Sequence, residues 1–269
     1  MNLNLLPQWF NVSMVTIFGL LFGSFLNVII YRVPAKVSLM GRSHCPKCNH
    51  MIRGYDNLPV LTWFLLRGKC RDCKAPISLR YPSIEAFHGL AWGFLAYHFG
   101  LVAILPVLLV VFSLTLALAM IDFDTMTLPQ SLVSATWIVT LVGLLSIAAT
   151  HHHNSLASLE RAGLSGLAWG VFYFCLWYFS GGRGLGYGDL KLAPVLGMLT
   201  GWFSIKVSII GFLGAFIVGG IPAMVLMATG IVKRGTKIPY GPMLIAGAWL
   251  GIIWGTELSN LYLRVSGIK

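Results

Sequence analysis

Long stretches without a single Asp, Glu, Lys or Arg dominate this chain: 1–31, 86–121, 125–159, 162–182, 207–232 and 238–256. A bilayer core takes about 20 apolar residues wound as helix. Each stretch therefore predicts at least one membrane crossing. The run 86–121 is long enough for two, with a turn near Phe99-Gly100. Only the 14-residue run 192–205 is ambiguous, because a piece that short also fits a re-entrant or buried segment.

The distribution of positive charge arbitrates. If 192–205 crosses, the chain spans at 11–30, 83–99, 101–121, 131–150, 162–180, 190–205, 207–230 and 240–262, and 15 of its 19 Lys and Arg fall on one side. Ten lie in 31–82, with Arg183, Lys191, Lys233, Arg234 and Lys237 in later loops. The positive-inside rule makes that side cytosolic. If 192–205 does not cross, Lys233–Lys237 sits on the wrong face. The expectation is an α-helical polytopic membrane protein of about eight spans with both termini outside. Its parts are an uncleaved anchor at 1–30, a small cytosolic domain at 31–82 after the first helix, and a multi-span membrane domain at 83–269. A hydrophobic content of 57% with 10% charged residues excludes an ordinary soluble domain. The net charge of +11 calls for no nucleic acid, since most of it faces anionic membrane lipids in the cytosolic loops and no base-stacking motif accompanies it.

The domain at 31–82 holds Cys45-x2-Cys48 and Cys70-x2-Cys73. Two such knuckles facing each other form a tetrahedral four-sulfur metal site, for which zinc is the expected ion and iron the other that the geometry suits. Cytosolic thiols stay reduced, which argues against disulfides. A site closed by four sulfurs is structural, and it would hold a segment whose own core is too small to fold alone. His44 and His50 are read as surface neighbours, and Cys175 as an apolar packing residue.

Only eight acids occur in the whole chain. Asp122, Asp124 and Asp189 are predicted at the cytosolic edge of the spans, where an ionisable side chain is a functional candidate by default. Asp189 closes a glycine-rich segment, Gly181-Gly-Arg-Gly-Leu-Gly186-Tyr187-Gly188-Asp189-Leu-Lys191, which matches neither a phosphate loop nor a dinucleotide fingerprint. A flexible loop leading to one aspartate at a helix start suits an extended peptide laid against a carboxylate. Two carboxylates sharing a proton can cleave a peptide bond, the ionised one activating water and the neutral one donating to the carbonyl oxygen. Asp122 and Asp124, two apart on a helix, do not face each other. The pair must then be long-range, with Asp189 as one member.

The chain resembles the type IV prepilin peptidases, bifunctional leader peptidase/N-methyltransferases of the GxGD aspartyl type. The resemblance rests on Gly23-Ser-Phe-Leu-Asn27 through Pro34, on Asp56-Asn-Leu-Pro59, Gly68-Lys-Cys70 and Tyr81-Pro-Ser-Ile-Glu85, and on Ile121-Asp122-x5-Leu128-Pro129. It continues through Gly186-Tyr187-Gly188-Asp189-Leu-Lys191 to Ile238-Pro-Tyr-Gly-Pro242. It implies Asp122 and Asp189 as the catalytic pair, with Gly186, Tyr187, Gly188 and Lys191 in the active-site loop and Asp124 in a supporting place. The implied substrates are prepilins of type IV pili or pseudopilins of type II secretion. Their short basic leader would be cut at the cytosolic face of a bacterial inner membrane. The resemblance alone implies methylation of the new N-terminus with S-adenosyl-L-methionine, for which no glycine-rich βα motif marks a pocket. In one departure from the family, which carries an acid after Leu-Pro, this chain has Gln130.

His151-His152-His153 is read as polar loop filler, and Gly19-x3-Gly23, Gly166-x3-Gly170 and Gly197-x3-Gly201 as close-packing spacings. A cation transporter would place its acids at mid-membrane, where 101–120 offers only Ser113 and Thr115. A zinc-headed scaffold would make the aspartates dispensable.

Overall fold

The structure is a computed structural model that describes residues 6–150, 155–182, 185–229 and 239–267, with the side chains of 222–228 excepted. The histidine tract 151–153, Arg183, Gly184 and the basic cluster Lys233, Arg234 and Lys237 lie outside the described residues. The chain is nearly all helical. Among the described residues eight helices of 17 residues or more fall where the eight crossings are expected, and four of them, Gln8–Arg32, Leu105–Thr125, Gln130–Thr150 and Ser155–Phe179, are long and apolar enough to cross a membrane. It divides into two compact units, 1–113 and 114–269.

In the first unit, α1 (Gln8–Arg32) lies along α3 (Arg80–Phe99). Small residues allow the approach: a Cβ on Gly19 would stand 2.8 Å from Trp92 Cβ, and one on Gly23 3.0 Å from Glu85 Cα. With lipid outside, packing of this kind rather than the hydrophobic effect holds spans together. His88 is fully buried in the same unit, its ring nitrogens 2.6 Å from the Gly19 carbonyl and 2.8 Å from Ser113 Oγ.

Between these helices stands the small domain. Its two knuckles are built alike. The Asn49 and Lys74 amides close onto the carbonyls of Cys45 and Cys70, and each takes positive φ (56° and 59°) to turn the chain back. Short antiparallel bridges, His44 to Met51 and Lys69 to Pro76, close the two turns. A 3-10 turn at Gly54–Asn57 and the five-residue α2 (Leu61–Leu65) join them. Both local acids are paired: Arg71 grips Asp56 through three bonds of 2.6–3.0 Å, and Arg53 reaches Asp72 at 3.3 Å.

The second unit begins within α4 (Leu105–Thr125) and continues through α5 (Gln130–Thr150), α6 (Ser155–Phe179), α7 (Tyr187–Phe203), α8 (Ile205–Ala228) and α9 (Gly241–Val265). The ambiguous run at 192–205 is the body of α7, which is shorter than its neighbours and buried on most sides. A helix apolar all round belongs inside a bundle. Gly197 and Gly201 bring it against α6, where added Cβ atoms would meet the Ser165 and Arg161 carbonyls at 2.8 and 2.7 Å. Two indoles tie the core: Trp249 donates to Thr115 Oγ1 and Trp169 to Ser208 Oγ. Cys175, expected to pack inside, is exposed on α6 instead.

Candidate functional site

Three helix ends meet in the second unit. Asp122 lies in the last turn of α4, Asp189 in the first turn of α7, and Gly241 opens α9. Both carboxylates are buried, at 5% and 6% exposure. The Gly241 amide donates to Asp122 Oδ2 at 3.1 Å. A Cβ built on Gly241 would stand 2.8 Å from Asp122 Oδ2 and 3.1 Å from Asp189 Oδ1. The two aspartates, 67 positions apart in sequence, thus converge on one point that only glycine leaves open. Asp189 Oδ1 is buried with no hydrogen-bond partner among the described residues. Such an oxygen is costly to bury alone, which suits a site that takes up a proton, a water or a substrate. Asp124 is exposed on another side of α4 and outside this convergence.

The glycine-rich segment divides its work. Gly181 and Gly182 use their freedom, with φ of +59° and +72° after α6. Gly186 and Gly188 are instead needed for space. A Cβ on Gly186 would lie 2.9 Å from Asp189 Oδ2, and one on Gly188 2.7 Å from the Leu128 side chain. The turn following Asp122 is therefore pressed onto the turn preceding Asp189.

A second link joins the same two segments. Lys191 Nζ donates to Gln130 Oε1 at 2.7 Å and lies 4.3 Å from the centre of the Tyr187 ring, while the Trp137 indole donates to the Lys191 carbonyl at 2.9 Å. Gln130, the departure noted above, accepts this bond as a neutral amide. Behind Gly241, Tyr240 and the fully buried Tyr173 share a 2.8 Å bond between their hydroxyls. Gly241 and Tyr240 were legible only as a late proline-glycine motif, and nothing local to it signals contact with an aspartate over a hundred positions earlier.

In the first unit, the sulfurs of Cys45, Cys48, Cys70 and Cys73 all lie within 4.8 Å of one another, Cys45 and Cys73 at 3.8 Å. Tetrahedral Zn–S bonds of about 2.3 Å put sulfurs about 3.8 Å apart, so the set fits zinc with slight contraction. The amides of Cys48 and then Lys47 lower the Cys45 thiol toward the thiolate, the form in which cysteine binds a metal. His50 is turned to Asp72, at 3.8 Å, and is not part of the sulfur cluster.

Two family models cover most of the chain. The profile of the bacterial peptidase A24 N-terminal domain matches residues 17–99, and that of the type IV leader peptidase family matches 109–224. Curated relatives named prepilin leader peptidase/N-methyltransferase include one from Stutzerimonas stutzeri, 34% identical over 92% of each chain. Others come from Pseudomonas aeruginosa (33%, 93% of each) and Aeromonas hydrophila (32%, covering 95% of this chain and 94% of the relative). No solved structure matches the chain.

Proposed function

The chain belongs to the type IV leader peptidase family, and on that premise we propose that it cleaves the basic leader of prepilins or pseudopilins at the cytosolic edge of a bacterial inner membrane, with Asp122 and Asp189 as the catalytic pair. The observation that carries this reading is the convergence of two buried carboxylates on the Cβ position that Gly241 leaves open. Held this close, the two share one proton. The ionised member takes a proton from water, whose oxygen attacks the scissile carbonyl carbon. The neutral member donates to the carbonyl oxygen, and collapse of the tetrahedral intermediate expels the new amine with a proton from the pair. The Gly241 amide orients Asp122, while Gly186 and Gly188 let the Asp189 and Leu128 side chains close against the loop that carries the second carboxylate. An acid pair at a helix end, rather than at mid-span, suits a substrate whose polar leader precedes an apolar helix.

The same chain then methylates the freed N-terminus. S-adenosyl-L-methionine supplies the methyl group to the amine nitrogen, which loses a proton. The four cysteines would hold a structural zinc ion in the cytosolic domain. A transporter or scaffold is disfavoured by the match of residues 109–224 to the leader peptidase family.

The test is leader cleavage of a co-expressed type IV prepilin, followed by mass spectrometry. Asp122→Asn and Asp189→Asn are each expected to lower the rate by about 10²–10⁴-fold or more, while Asp124→Asn stays near wild type. Wild-type product should carry one added methyl group at its N-terminus. Cleavage persisting in all three variants would remove the aspartyl mechanism.

A further inference from the structure

The short helix α2 is amphipathic in the inverted sense. Its inward side is polar or anchored: Thr62 is buried and donates to the Tyr55 carbonyl at 3.2 Å, and the Trp63 indole donates to the Ile77 carbonyl at 3.1 Å. Its outward side, one turn apart in sequence, is Leu61, Phe64 and Leu65, exposed by 63, 64 and 78%. Leaving a patch of large apolar side chains uncovered is unfavourable, and such patches mark contact surfaces.

Where that surface lies is fixed by one bond. Val60, the residue before α2, takes a left-handed conformation (φ 61°) and donates its amide to Glu85 Oε2 at 2.8 Å. Glu85 is in the second turn of α3, two positions inside the crossing that the sequence predicts at 83–99. On that expectation α2 begins at the depth of the membrane surface. Arg67 and Lys69, both exposed, follow it directly.

We propose that α2 is an interfacial anchor, seating Leu61, Phe64 and Leu65 among the acyl chains of an anionic leaflet while Arg67 and Lys69 meet the lipid phosphates. Charge complementarity selects this occupant. Residues 31–82 carry ten Lys and Arg against two Asp, and both Asp are already paired within the domain. Thiolates around a bound zinc ion would remove only part of the surplus. A negative surface attracts such a face, whereas the basic leader of a prepilin would be repelled by it. Only that last exclusion rests on the function proposed above. The apolar insertion and the basic flank together form the pairing that holds amphipathic segments in the headgroup region.

The experiment uses the full-length protein carrying Cys175→Ala, with an environment-sensitive fluorophore on Leu65→Cys and, separately, on Leu61→Cys. Each is placed in nanodiscs of phosphatidylcholine alone and of phosphatidylcholine with phosphatidylglycerol. The expected result is a blue-shifted emission, quenched by nitroxide-bearing lipid and shielded from aqueous iodide. The effect should be stronger with phosphatidylglycerol and fall back toward the phosphatidylcholine value in high salt or with Arg67→Glu/Lys69→Glu. A label open to iodide in both nanodiscs would overturn the proposal. So would one shielded from iodide and nitroxide lipid alike, which would mean that protein covers the face. The readout does not involve cleavage, so it fails or succeeds independently of the aspartyl reading.

Discussion

Gly241 concentrates the chemistry of the site into one missing side chain. Its amide holds Asp122, and the place of its absent Cβ is within 3.1 Å of both carboxylates. Gly241→Ala is therefore expected to abolish prepilin cleavage in a protein that still inserts and keeps its thermal midpoint, as read by mass spectrometry and a melting curve on one preparation. Cleavage unchanged by the alanine would mean that the gap is not where the substrate reacts. The aspartates themselves were legible because eight acids in a chain this apolar leave few suspects. Gly241 was not, because its contact with Asp122 spans 119 positions and no local pattern records it. Gln130 reads in sequence as a lost acid. In three dimensions it still takes the Lys191 ammonium, by an amide oxygen in place of a carboxylate.

The helices were legible as elements but not to the residue. The expected span 101–121 is the helix Leu105–Thr125, a shift that brings Asp122 inside the last turn. Hydropathy ends where charge begins, whereas a helix ends where its backbone bonds do, here at Met126 with φ of 53°. The five-residue α2 was missed altogether, since its exposed side is the apolar one and no period announces it. The glycine spacings predicted contact, found in α1 with α3 and α6 with α7, and α8 meets α9 in the same way at glycines that those spacings did not include. A Cβ on Gly247 would fall 2.5 Å from Ala215 Cα and 2.7 Å from the Gly211 carbonyl, backbone that cannot turn aside. Gly247→Ala should force the pair apart at a cost of about 1–3 kcal/mol or more. Gly163→Ala, with nothing within 4 Å, should gain up to about 1 kcal/mol from helix propensity. Melting curves of the purified variants check both signs, and equal shifts would mean that the contact is not close.

At the scale of the whole molecule, the four-cysteine cluster and the paired aspartates lie in different compact units, the sulfurs in 1–113 and the carboxylates in 114–269. Chelation of the metal is expected to expose 41–79 to proteolysis first, with prepilin cleavage declining afterwards. Cleavage that stops at once, while the small domain stays resistant to protease, would show that the metal takes part in the reaction.

The shortness of α7 has a consequence for the surrounding bilayer. At 17 residues it is about 26 Å long, against a hydrocarbon thickness of about 30 Å. Surrounded by α5, α6, α8 and α9, it escapes the hydrophobic mismatch that an isolated helix of that length would suffer. Its end can therefore stop below the headgroups without thinning the lipid. Asp189 stands on that end, buried among the neighbouring helices rather than raised beyond them.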